Sequence, residues 1–295
     1  MWFDLAAIIA PLFICAGLGV VWARLDWPFD TQMITPITMN VAVPCLIFAA
    51  VSTLTVDPRT FGELTAAVVT AMACFLALGA AALKIAKLPV RTFLPALSFP
   101  NVGNMGLPLA LFAFGDVGLA LAMAWYVVAG LGHFTVGIWI ASGSGSPTVL
   151  FKTPIVYALA AALGFMLTGT TPPRWLLNTV KLLGDMGIPL MLLALGVSLA
   201  RLRIVGLKRT IGVAVLRLGM GFAVGFGVAE LYGLNGIARG ILIMGASMPV
   251  AVFNYMMAER YGRSPAEVAS VVVVSTALAF LLLPLLLLYL LPLRG

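Results

Sequence analysis

Residues Leu94–Gly115 read LPALSFPNVGNMGLPLALFAFG, an apolar segment of membrane-spanning length. It is interrupted at its centre by Pro100-Asn101-Val102-Gly103-Asn104-Met105-Gly106-Leu107-Pro108. A smooth helix cannot run through that stretch, because the two prolines remove backbone donors and the glycines add conformational freedom. In hydrocarbon, freed backbone polar groups persist only where protein or a water-filled cavity satisfies them. A broken span with two asparagines at the break therefore points to a solute site near mid-membrane. The competing reading is a proline kink that only shapes helix packing, and a second broken span further along the chain favours the site.

Composition sets the class. The chain has 295 residues, of which 62% are hydrophobic and 9% charged, and its mean hydropathy is +1.13. These values fit an integral membrane protein of helices and exclude an ordinary soluble domain. Strands of a membrane barrel would be shorter and would alternate polar with apolar. The net charge of +7 is read as basic cytoplasmic loops and not as a nucleic-acid surface. Cys15, Cys45 and Cys74 lie in apolar stretches without ligand spacing. With a single histidine in the chain, no metal cluster and no cofactor are expected.

Ten apolar stretches can be drawn: Leu5–Trp22, Met33–Leu54, Leu64–Leu83, Thr92–Phe114, Val117–Ile140, Pro154–Gly169, Leu177–Leu199, Thr210–Leu231, Gly236–Ala258 and Pro265–Leu290. Most approach the roughly 20 residues that a bilayer requires. The sixth is short, and the fourth and ninth are interrupted. The leader Met1-Trp2-Phe3-Asp4 carries no basic residue, so the first stretch is read as a retained helix and not a signal peptide. Loops after the odd-numbered spans hold 11 lysines and arginines, against 5 on the other side, with Arg217 inside a span. The positive-inside rule then places both termini outside the cytoplasm of a plasma (inner) membrane protein. Arg217, near the cytoplasmic end of its span, is expected to snorkel towards the interface.

The two halves repeat. Asn40-Val-Ala-Val-Pro44 in span two matches Asp185-Met-Gly-Ile-Pro189 in span seven, and Pro11 matches Pro154. Asn104-Met-Gly-Leu-Pro108 in span four matches Gly245-Ala-Ser-Met-Pro249 in span nine, and Phe114-Gly115-Asp116 matches Tyr261-Gly262-Arg263. Five spans per half make the repeat inverted, with residues 1–143 as one half and 144–295 as the other. The polar stretch 141–147, ASGSGSP, is the joint.

Pro100-Asn101 with Met105-Gly106-Leu107-Pro108, Asp185-Met-Gly, Gly196, Met248-Pro249 and Ala258-Glu259-Arg260-Tyr261 together resemble the auxin efflux carrier family. That group includes the PIN auxin transporters and bacterial malate and malonate permeases. The resemblance covers essentially the whole chain, without the long central loop of many plant members. It implies an all-α elevator-type fold of ten transmembrane helices. Spans one, two, six and seven would be a scaffold with a homodimer contact. Spans three to five and eight to ten would be a mobile transport domain in which the two broken helices cross.

On that reading the half-helices begin near Gly106-Leu107-Pro108 and Met248-Pro249, and their N–H groups and positive dipole ends attract a carboxylate. Asn101 and Asn104 supply amide donors, with Ser247 and Asn254 as the polar groups from span nine. A small organic anion is the expected substrate, carried by alternating access, and a passive anion channel is the alternative. Asp185, one turn beyond Lys181, is expected either to serve coupling or line a vestibule, or to form a structural ion pair with that lysine. His133 is a candidate proton carrier or, alternatively, a packed, hydrogen-bonded residue.

Enzyme readings fail on detail. Gly245-Ala246-Ser247 with His133 is similar to the serine–histidine pair of rhomboid proteases, but Met248-Pro249 interrupts the helix that should follow. Gly184-Asp185 is similar to aspartyl intramembrane proteases, but no second intramembrane aspartate accompanies it.

Overall fold

Inside hydrocarbon a backbone must satisfy itself, and the regular segments of this chain are accordingly helical. The computed structural model describes residues 2–54, 57–143 and 153–294. Most of the expected joint at 141–147 therefore lies outside the described residues, as do the 143/144 boundary between the halves and Lys152 of the loop-charge count.

The helices run in the order α1 (Trp2–Arg24), α2 (Thr31–Ile37), α3 (Val43–Ser52), α4 (Pro58–Ile85), α5 (Val90–Ser98), α6 (Leu107–Gly132) and α7 (Ile138–Ser142). They continue as α8 (Pro154–Thr168), α9 (Arg174–Asp185), α10 (Gly187–Arg201), α11 (Leu207–Leu231), α12 (Gly236–Ala246), α13 (Phe253–Arg260) and α14 (Pro265–Leu290). Wide π-helical turns at Thr38–Ala42, Val102–Gly106 and His133–Gly137 link α2 to α3, lead into α6, and link α6 to α7. Among the described residues seven helical stretches are long and apolar enough to cross a membrane, and Pro154–Thr168 and Gly236–Ala246 are shorter apolar helices. One of the seven, Val102–Ser142, is 41 residues long and turns at Gly115 (φ 67°, ψ −159°), a conformation open only to glycine. That turn falls at the boundary which separates spans four and five in the sequence.

Local chemistry explains several ends. Asp57 caps α4 by accepting from Arg59 N at 2.9 Å, with Pro58 in the first turn. Gly143 and Gly169 close α7 and α8 in the left-handed conformation. At the second proline-rich break α12 ends at Ala246 and α13 starts at Phe253.

Packing sorts the helices into two groups. The first comprises α1, α3, α8, α9 and α10. The second comprises α4 to α7 and α11 to α14, with α3, α10 and α1 touching it along one side. Where α1 meets α10 the backbones come together through glycines. A β-carbon on Gly196 would run into Ala16 O, and one on Gly19 into Leu193 O. Without a hydrophobic force between helices in lipid, such close approach supplies the packing energy. Gly196→Ala should therefore lower stability by about 1–3 kcal/mol, the usual cost of overpacking. Thermal unfolding of purified protein checks this, and an unchanged melting temperature would contradict it. Much of the outward-facing side-chain surface is large and apolar, including Phe3, Ile14, Leu78, Leu182, Leu281 and Leu285, as a lipid-facing surface requires.

Candidate functional site

The two proline-rich breaks meet. Phe99 precedes Pro100 and is extended (φ −106°, ψ 101°), because a proline disfavours helical geometry in the residue before it. Residues 99–101 then lie antiparallel to 249–251, with Pro100 paired to Val250. Asn101 N donates to Pro249 O at 2.8 Å, and Ala251 N donates to Phe99 O at 3.3 Å. Val250 N donates to Ser275 Oγ of α14 at 3.1 Å. Each broken strand thus satisfies the groups that the other exposes, which is what permits two interruptions in an apolar interior.

The helices resume later in one strand and earlier in the other than the motifs imply. After the first break the π turn starts at Val102, ahead of Gly106-Leu107-Pro108, and Gly106 N closes it onto Asn101 O at 3.2 Å. After the second, α13 starts at Phe253 and not at Met248-Pro249, because Val250 and Ala251 are held in the crossing. Gly106 and Pro108 are both buried. A β-carbon on Gly106 would sit 3.0 Å from Val102 Cγ1 and 3.5 Å from Met248 Cγ, so the glycine is what lets the two breaks touch.

The polar candidates divide sharply. Asn101 is 3% exposed, and its amide nitrogen Nδ2 has no hydrogen-bond partner. A buried donor left bare costs about 1–3 kcal/mol, a state that Ser52, Ser98, Trp125, Arg217 and Thr276 share at one side-chain atom each. Asn104 is half-buried on the π turn that follows. Asn254, in contrast, is fully engaged. Its Nδ2 donates to Phe99 O at 3.2 Å and Ala251 O at 3.1 Å, and its Oδ1 lies 3.0 Å from His133 Nε2. Ser247 turns its hydroxyl back onto Ile243 O at 2.8 Å.

His133 is packed within the crossing. Its ring stacks on Phe99 with centroids 4.3 Å apart and meets Phe253 edge-on at 4.9 Å. It pairs with Asn254 and Ser247 with Ile243 O, so these residues form no serine–histidine couple. Among the described residues no three metal-ligating side chains come together.

Two sequence expectations are corrected. Lys181 and Asp185 are both exposed, and neither takes part in the ion pairs of the described residues, Arg209–Glu267 at 3.1 Å and Arg239–Glu230 at 2.6 Å. The helix turns at Met186 immediately after Asp185, which separates α9 from α10. Gly184 presses directly on the Leu46 backbone there, and the exposed aspartate does not gather with the crossing residues.

The second correction is Arg217, which does not snorkel. It is fully buried, with Nη1 donating to Leu97 O at 3.0 Å and Nη2 to Ala246 O at 2.8 Å. Its guanidinium carbon stands 4.5 Å over the Phe75 ring. Gly221 and Gly225 follow at spacings of four on the same face, and a β-carbon on either would strike Ala246. The spacing Arg217, Gly221, Gly225 is the sequence signal that a position near a span end obscured.

Comparison with known proteins adds the following. Residues 145–287 match the family model described as membrane transport protein. An uncharacterized transporter of Methanocaldococcus jannaschii is 25% identical over 197 residues, covering 63% of this chain and 63% of that protein. A provisionally named malonate transporter of Rhizobium meliloti is 24% identical over 302 residues, covering 94% of this chain and 92% of its own length. The chain thus spans under two thirds of the first relative and nearly all of the second.

Proposed function

We propose that this chain, which matches the membrane transport protein family over residues 145–287, is a secondary carrier of a small organic anion, held as a carboxylate at the crossing. The observation that carries this reading is the bare, buried Asn101 amide at the meeting of the two breaks. Asn104 lies on the next turn, and the helices resume at Val102 and Phe253, with Val102 N, Asn254 N and Tyr255 N already bonded to Pro100 O, Ala251 O and Val252 O. Together these groups offer donors and positive dipole ends without a full charge. A malonate transporter name on a full-length relative supports a dicarboxylate among the candidates.

The wider account is alternating access in a 5+5 inverted repeat of ten helices, residues 1–143 and 144–295. The group of α1, α2, α3, α8, α9 and α10 acts as the scaffold and dimer face, and α4 to α7 with α11 to α14 move as an elevator. The two packing groups support that division. Glycines of positive φ at 115 and 262, after the two broken spans, support the repeat. The basic loop asymmetry supports a plasma-membrane orientation with both termini outside.

A melting-temperature screen of purified protein against malonate, malate and indole-3-acetate tests the substrate class. A ligand at about 100 times its Kd stabilises the folded state by about 2.7 kcal/mol. No rise with any small carboxylate would count against the reading. For Asp185, exposed and unpaired, Asp185→Asn should leave stability within about 0.5 kcal/mol of the parent. If it serves coupling, the same variant flattens the pH dependence of flux. A marked fall in melting temperature would instead restore a structural role.

A further inference from the structure

Arg217 is a buried cation whose two hydrogen-bonded partners are not carboxylates. A guanidinium cannot shed its charge in a protein, and an uncompensated charge in such surroundings is costly. Its Nε has no hydrogen-bond partner, and the compensation comes from the two carbonyls that Nη1 and Nη2 reach. Leu97 O and Ala246 O are carbonyls of the last turns of α5 and α12, the two helices that end at the crossing. A helix C-terminus carries about half an elementary negative charge. Two such ends together match one guanidinium, and the Phe75 face adds a cation–π contact. The planar fork of arginine reaches both carbonyls at once, which a lysine point charge does not.

In carriers with discontinuous helices, half-helix C-termini are where a coupling cation is coordinated, while the N-termini face the anionic group of the substrate. We propose that Arg217 is a resident cation in that place. It is a positioning residue that fastens the two C-terminal half-helix ends together and cancels their negative charge. The positive ends at Val102 and Phe253 are then left to dominate the crossing. Assembly of the site consequently needs no sodium or potassium ion, and the crossing is biased permanently towards anions. The anion bias rests on the function proposed above. The fastening role does not.

Hydrogen–deuterium exchange on the purified full-length protein tests it without any substrate. In Arg217→Met, exchange of peptides covering 97–102 and 246–252 should rise at least tenfold, while the α1 peptide around Leu12–Gly19 stays within a factor of two. Arg217→Lys, which keeps the charge but not the fork, should recover only part of that protection, and Arg217→Gln, which keeps only an amide, should recover less. In the wild type, the same peptides should exchange equally in sodium, potassium and N-methyl-D-glucamine chloride at matched ionic strength. Three results would overturn the proposal. They are wild-type protection in Arg217→Met, an equal rise in α1 that marks general loosening, or protection of the wild-type crossing by sodium alone. The salt comparison uses only wild-type protein and decides even if the variants do not fold. Should malonate and the other carboxylates fail to bind, the proposed function falls and these exchange results still decide the role of Arg217.

Discussion

Asn101→Ala should weaken binding of whichever carboxylate the wild type takes by about 1–3 kcal/mol, roughly five- to 150-fold in Kd. The melting temperature of the unliganded protein should barely move. The asymmetry follows from the structure: Asn101 Nδ2 has no protein partner, so deleting the amide breaks no side-chain bond through that atom. The backbone N–H that joins Pro249 O survives in alanine. A residue kept for packing would behave oppositely, losing stability and leaving affinity intact. Calorimetric titration alongside thermal unfolding separates the two, and an unchanged affinity would move the site elsewhere.

Asn254→Leu should do the reverse and cost about 2–5 kcal/mol of stability. The leucine fills similar volume but abandons three contacts: Phe99 O, Ala251 O and His133 Nε2. Each buried group left without a partner costs about 1–3 kcal/mol. Ala251 N still reaches Phe99 O, so the loss should fall short of the full sum. His133→Phe, which keeps the aromatic stack on Phe99, should cost less and should make Asn254→Leu milder when combined, since the two share one hydrogen bond. Melting temperatures of the three variants check this, and strict additivity would contradict it.

The contrast between these two asparagines shows how far the sequence could be read. Prolines and glycines announce a broken helix from local stereochemistry, so both breaks were legible, as was the turn at Gly115. The meeting of the breaks was expected from the family resemblance. What each amide does there depends on residues more than a hundred positions away, and no local signal distinguishes a braced Asn254 from a bare Asn101. The restart of α13 at Phe253 was hidden for the same reason. Val250 and Ala251 are held in the crossing by pairing with residues 99–101 and by the Ser275 hydroxyl, both distant in sequence. A position near a span end suggests a snorkelling Arg217, but position along the span does not give depth in the fold. The half-helix carbonyls that neutralise it belong to two other segments. Lys181 and Asp185 share α9 at helix-pair spacing, yet both side chains are exposed and form no ion pair with each other.

Carrier action at the crossing is tested most directly by counterflow in proteoliposomes. Vesicles holding the purified protein and a high internal concentration of an unlabelled carboxylate that binds in the melting screen are diluted into trace labelled compound. The account predicts saturable uptake with a transient overshoot in the wild type, equal in sodium and N-methyl-D-glucamine, and its loss in Asn101→Ala. Uptake that stays linear in concentration with no overshoot, or an Asn101→Ala variant that exchanges like the wild type, would contradict it.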